Sequence, residues 1–146
     1  GLEVLFLLMQ PERDRQATAR VRALMEEPSF QLDLPCSPRE LMGVLGRARL
    51  CLAMRLHTLI FAARMAVPAM GLVYDPKVAS YLEELDLPAA GHVEHFDGEE
   101  AIRRADDLMA HYDQVLANLR EKSEQLARAA RENERLLMEM LERYKK

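Results

Sequence analysis

Short apolar runs alternate with helical periods through the first hundred residues, and this alternation constrains the fold more than any other feature. Leu2–Leu8 reads as a strand, and Gln10-Pro11 turns the chain into a helix from about Arg13 to Glu26. Ala17, Val21, Leu24 and Met25 would share one face of that helix. After Pro28-Ser29 a short strand is expected at Phe30–Leu34. Ser37-Pro38-Arg39-Glu40 reads as a helix start, with a capping Ser, Pro at the first helical position and Glu at the third. That helix should run to about Arg47. Core strands follow at Arg49–Ala53 and Ala69–Tyr74, separated by a helix over Arg55–Val67 that Pro68 stops. A further helix is expected from Lys77 to about Leu85, and a last short strand at His92–Phe96. Strands separated by helical stretches of roughly 10–15 residues pair in parallel, because parallel neighbours need a crossover. Near-continuous apolar strands fit a sheet covered on both faces. The expected fold class is α/β, a Rossmann-like parallel sheet over residues 1–97. Because the chain enters a strand at once, an N-terminal part is expected to precede Gly1.

The pattern changes at Asp97-Gly98. Ile102, Ala105, Met109, Tyr112, Leu116, Leu119, Ser123, Leu126, Ala130, Asn133, Leu137, Met140 and Tyr144 alternate spacings of three and four, a heptad register surrounded by Glu, Arg and Lys. Residues 98–146 therefore read as a long amphipathic helix or helix pair. Its richer first half should pack on the domain. Ser123, Ala130 and Asn133 weaken the seam of the second half. That helix either wraps the domain, crosses to a further one, self-associates as a coiled coil, or frays.

With 24 acidic and 20 basic residues the net charge is −4, against the basic stripe of a general nucleic-acid binder. No apolar run approaches the roughly 18 residues of a membrane span, and no signal peptide is expected. Cys36 and Cys51 are too few for a disulfide framework. A cytoplasmic setting is expected, with the inner face of the membrane as a second location.

The chemistry is expected at the strand-to-helix junctions. In an open parallel sheet, ligands bind outside the carboxyl ends of the strands. Helix starts present unpartnered N–H groups and the positive dipole end to anions. Arg55-Leu56-His57 follows the strand ending near Ala53, and Tyr74-Asp75-Pro76-Lys77 follows the next. There Asp75 would cap the helix, with Pro76 first and Lys77 second. His57 and Lys77 are 20 residues apart, about one helix plus one strand. On neighbouring strands both would open into one crevice suited to phosphate or carboxylate. The bland readings are a hydrogen-bonded structural histidine, a solvated lysine and an ordinary capping pair. Neither a Walker sequence nor a G-x-G-x-x-G follows a strand.

Met54-Arg55-Leu56-His57-Thr58-Leu59-Ile60-Phe61-Ala62-Ala63, Val67-Pro68, Tyr74-Asp75-Pro76-Lys77-Val78 and Leu82-Glu83-Glu84-Leu85 together resemble the polysaccharide pyruvyl transferase family. The resemblance is greatest to the CsaB type that modifies bacterial cell-wall polysaccharide in S-layer anchoring. It implies the C-terminal of two Rossmann-like domains arranged as in GT-B glycosyltransferases. It also implies transfer of the pyruvyl group of phosphoenolpyruvate, the donor substrate, to two sugar hydroxyls as a cyclic ketal, with no other cofactor. The family's phosphoenolpyruvate-contacting His and Lys fall on His57 and Lys77, with Arg55 and Asp75 as neighbours in the binding site. His57 is either the general acid or a donor to the leaving phosphate, with phosphate contact favoured. The implied acceptor is a sugar, expected on a lipid-linked glycan precursor. Further contacts are implied on an N-terminal domain, so the chain alone should be inactive. Ala53 replaces a small hydroxyl residue common before M-R-L-H, Asp86 replaces a Gly common after L-E-E-L, and Arg64 and Met65 interrupt a segment of small residues.

Two other readings stay open: a GT-B-type nucleotide-sugar glycosyltransferase half, and a non-catalytic assembly module that oligomerises through its C-terminal helix. His92-x-x-His95 is set aside as a metal pair, since residues three apart in a strand face opposite sides. No metal is expected, and the nine methionines read as core filler.

Overall fold

The computed structural model describes residues 1–144, and the fold is a mixed α/β Rossmann-like arrangement with parallel sheets and a long C-terminal helix. Lys145 and Lys146, the end of the expected helix, lie outside the described residues. The chain forms two compact units, Gly1–Ser37 and the remainder from Pro38 onward.

The first unit is one βαβ: β1 (Val4–Leu7), α1 (Pro11–Leu24) and β2 (Ser29–Leu32). The strands pair in parallel from Val4↔Ser29 to Leu7↔Leu32. Pro11 opens α1, with Glu12 and Asp14 at the positive end of its dipole. The expected inner face of α1 is corrected here. Val21 and Leu24 are exposed, and no α1 residue is buried. Instead the half-buried residues Asp14, Thr18 and Arg22 form the sheltered stripe. Arg22 donates to Ser29 Oγ at 2.9 Å, to the Ser29 carbonyl at 2.8 Å and to Gln31 at 3.2 Å. Arg15 grips the Asp33 carboxylate with two bonds of 2.8 and 2.9 Å. Polar ties, not apolar burial, select the face of this helix.

The second unit comprises α2 (Pro38–Leu45), β3 (Cys51–Ala53), α3 (Leu56–Arg64), β4 (Ala69–Val73), α4 (Pro76–Glu84), β5 (Ala89–His92), α5 (Gly98–Ala110) and α6 (Tyr112–Tyr144). Its sheet has the order β3-β4-β5, all parallel. Parallel pairing is thus carried in two sheets, where the alternation of elements suggested one. The β3–α3 and β4–α4 segments repeat one another at an offset of 20 residues. Arg55 and Asp75 stand at the two N-caps, and Ala66 and Asp86 follow the two helices with φ of 54° and 53°. The Val67 N–H reaches the Ala62 carbonyl at 2.8 Å, and the Leu87 N–H reaches that of Leu82 at 2.9 Å. Both are the six-to-one bonds of a helix end turned by a left-handed residue. Pro68 and Pro88 then lead into β4 and β5.

Both faces of β4 are covered. A β-carbon at Gly71 would come within 2.6 Å of Leu82 Cδ1 and 3.3 Å of Leu59 Cδ1, so α3 and α4 pack on the face shared by Ala69, Gly71 and Val73. Met70 points to the other face, where it packs with Ala90 and Leu108, flanked by Leu50, Leu72, Ala105 and Val115. The stripe on α5 and α6 therefore runs through Ala101, Ala105, Leu108, Tyr112, Val115 and Leu119. Of the expected register, Ala105, Met109, Tyr112, Leu116, Leu119, Ser123 and Leu126 are buried or half-buried and are joined by Ala101, Leu108 and Val115, whereas Ile102 is exposed. The Arg49 guanidinium lies 4.2 Å from the Tyr112 ring centroid, and Lys122 Nζ meets the Asp86 carboxylate at 2.9 Å. Beyond Ala127 every described residue of α6 is exposed.

Of the two expected forms, a long helix or a helix pair, the structure shows the pair, divided at His111, where φ is −106°. The Asp107 carbonyl accepts the His111 backbone N–H at 3.1 Å and also lies 3.0 Å from His111 Nδ1, and the division occurs without Pro or Gly. The last strand is also corrected. β5 spans Ala89–His92, and the expected strand His92–Phe96 begins instead as a turn closed by the His95 N–H on the His92 carbonyl at 3.1 Å. Cys36 is half-buried and free. Cys51 is buried in β3, where loss of solvation pushes its thiol up to about 11, an inert core thiol.

Candidate functional site

The parallel pairs Cys51↔Ala69 to Ala53↔Gly71 make β3 and β4 neighbours. Their carboxyl ends therefore lie side by side, and the chain enters α3 and α4 from the same edge. His57 and Lys77 are each the second residue of their helix, equivalent places in the 20-residue repeat. Both are exposed.

The two helix starts differ in how they are closed. At α4, Pro76 takes the first position and needs no hydrogen-bond partner for its nitrogen. The Asp75 carboxylate accepts the Lys77 backbone N–H at 3.0 Å, and Lys77 Nζ lies 3.3 Å from Oδ2 of the same group. Those contacts, the backbone one first, hold the Asp75 carboxyl below its ordinary value. At α3 the capping position is Arg55, in extended conformation, and no side chain caps the helix. An arginine has no acceptor to offer an N–H. The Arg55 carbonyl accepts from Thr58 at 3.0 Å and Leu59 at 3.4 Å, which starts the helix. One start is thus closed by a carboxylate, while the other carries a cation where a capping acceptor would stand.

The structure brings Asp75 and Lys77 into direct contact and sets Arg55 and His57 at the adjoining helix start. A third feature of this edge was set aside on sequence and is recovered by the fold. His92 ends β5, the strand beside β4, and His95 returns against it through an isolated antiparallel bridge. The argument that residues three apart face opposite ways fails because His92–His95 is a turn, whose ends stay close. The Val93 N–H on the Val73 carbonyl, 3.0 Å, holds that turn beside β4. Among the described residues, no group of three or more His, Cys, Asp or Glu is placed to hold a metal ion.

A surface hollow of about 520 Å³ lies elsewhere, at the amino end of β5, lined by Pro88, Arg103, Arg104 and Asp107 among others. Its cations are committed. Arg103 and Arg104 hold Glu100 at 2.8 and 2.7 Å, and Arg104 also donates to the Ala89 carbonyl at 2.8 Å. The chemistry-bearing residues sit at the opposite, carboxyl edge, which is where an open parallel sheet takes its ligands.

No helix among the described residues is long and apolar enough to cross a membrane. A family model described as polysaccharide pyruvyl transferase matches residues 1–76, a stretch that includes Arg55, His57 and Asp75 and stops one residue before Lys77. No curated protein and no solved structure matches the chain.

Proposed function

The chain belongs to the polysaccharide pyruvyl transferase family, and from that premise we propose that it binds phosphoenolpyruvate at the paired starts of α3 and α4. In this reading it is the C-terminal Rossmann-like half of a two-domain transferase. The acceptor is a cell-wall polysaccharide sugar, met as a lipid-linked glycan precursor at the inner membrane face. Catalysis requires the other half of the cleft.

The observation that carries the reading is the equivalence of His57 and Lys77 at the starts of helices that follow neighbouring strands. Phosphate at this edge would accept from the Lys77 ammonium and from His57, with the positive end of α3 behind it. The closed start of α4 points the same way. With Asp75 already on the Lys77 backbone N–H, the anion is drawn to the α3 side, and Lys77 must turn from Asp75 to reach it. In the reaction, one sugar hydroxyl oxygen bonds to C2 of the donor as a proton reaches its methylene carbon. The second hydroxyl oxygen then bonds to C2 as the C2–O bond to phosphate breaks. One hydroxyl proton is thus balanced by the new methyl group and the other leaves with phosphate. His57 serves as donor to that leaving phosphate.

Calorimetry with phosphoenolpyruvate tests this on the wild type, His57→Ala and Lys77→Ala, with a nucleotide sugar as control. Loss of one charge-assisted bond should weaken binding roughly tenfold in each variant. Binding insensitive to both substitutions sinks the assignment, and preference for the nucleotide sugar moves the case to glycosyl transfer.

A further inference from the structure

We propose that the His92–His95 turn is the third wall of this site and holds the carboxylate of the donor. This rests on the phosphoenolpyruvate reading above. The observation behind it is the bulge in β5. The register runs Gly71↔Ala89, then Leu72↔Gly91 and Val73↔His92. Ala90 is the extra residue, so Ala90 and Gly91 both lie on the α5 face, and Ala90 does pack there with Met70 and Leu108. Simple alternation from Ala90 would leave His92 on that face too, behind the sheet from Lys77. The bulge reverses it and gives His92 the face and level of Val73, the side from which α3 and α4 start. Gly91, at φ 151°, supplies the backbone conformation that side-chain-bearing residues rarely adopt.

Counting two residues on from Ala53↔Gly71 sets Arg55 level with Val73 as well. Arg55, Val73 and His92 then form one line across three strand ends. Neighbouring strands are ~4.8 Å apart. The phosphate ester and the carboxylate of phosphoenolpyruvate hang from the same carbon, less than one such step apart. Phosphate before the end of β4 therefore turns the carboxylate toward the end of β5, into the reach of an imidazole side chain there. His92 and His95 are both exposed there, each with ring N–H groups to donate. These donors stand beside the Lys77 ammonium, which is otherwise shared with Asp75 at 3.3 Å. The acids of this turn are Glu94, exposed at its tip, and Asp97, whose carboxylate is engaged by the Glu99 and Glu100 N–H groups at 2.9 and 3.1 Å.

The test is calorimetry on the full chain with two probes, phosphoenolpyruvate and inorganic phosphate. The proteins are wild type, the double variant His92→Ala/His95→Ala, and His57→Ala, each checked for an unchanged melting profile. The double variant should bind phosphoenolpyruvate roughly tenfold more weakly and inorganic phosphate as the wild type does. His57→Ala should weaken both. Undiminished phosphoenolpyruvate binding by the double variant, with His57→Ala impaired, overturns the role of the turn and leaves the donor site standing. Equal loss of both probes in the double variant overturns the carboxylate assignment. A wild type that binds neither probe overturns the donor site and this inference with it.

Discussion

The Asp75 carboxylate meets Lys77 twice, at the backbone N–H at 3.0 Å and at the ammonium at 3.3 Å. One acid therefore both starts α4 and restrains the cation beside it. Asn caps a helix about as well as Asp, whereas Ala does not. Asp75→Asn should keep most of the melting temperature and, by removing the competing charge, tighten inorganic phosphate binding severalfold. Asp75→Ala should melt lower at pH 7. The Asp75 carboxyl is held below its ordinary value of 3.8, so its contribution to stability is complete above that value and is lost as pH falls through the lower, folded one. Melting of wild type and Asp75→Ala from pH 7 to pH 2.5 should show the difference narrowing below about pH 3.8.

Gly71 lets two helices rest on one strand. Leu82 and Leu59 lie where its side chain would be, and both are essentially buried. Gly71→Val should cost about 2 kcal/mol by overpacking, read as an earlier denaturant midpoint at unchanged slope. Full stability in that variant would mean that α4 can slide, contrary to the packing described.

Ala66 ends α3 at φ 54°, where a β-carbon is strained. Its counterpart Asp86 carries the same backbone but recovers an ion pair with Lys122 at 2.9 Å. Ala66→Gly should stabilise the chain by about 1 kcal/mol, whereas Asp86→Gly should gain less because it also loses that pair. Urea titrations of the two variants measure the contrast.

Leu119 is fully buried, and the described residues after Ala127 are exposed. Truncation after Arg128 should leave the melting temperature unchanged. Leu119→Ala should cost roughly 3 kcal/mol. A large loss on truncation would assign the tail a packing role, through self-association or otherwise, and sedimentation would identify which.

The helix–strand order was legible because Pro68, Pro88 and the apolar runs punctuate the sequence at local scale, and local punctuation is what a sequence displays. The placement of Arg55, His57, Asp75 and Lys77 at successive helix starts follows from the same signals. The orientation of α1 was not legible. Its Ala17, Val21 and Leu24 make the more apolar face, and the choice was made by Arg22 reaching Ser29 and Gln31, a contact between elements. The first position of the stripe on α5 differs for a similar reason. Ile102 and Ala101 are equally good candidates in isolation, and Met70 and Ala90 across the sheet select the latter's side. The histidine turn was missed because a bulge is one extra residue without a residue-type signal beyond Gly91. Read as continuous strand, His92-x-x-His95 places its rings on opposite faces.

The 20-residue repeat also bears on how the chain gets to its structure. Every pairing in the β3-β4-β5 sheet joins residues 18 or 19 apart, so each strand adds to its neighbour by closing one loop of the same modest length. Loop entropy grows only slowly with length, but short closures of this kind keep contact order low and search times brief. The carboxyl edge bearing Arg55, His57, Asp75 and Lys77 can therefore be laid down by successive local steps. The long helix α6 is free to dock on the sheet last.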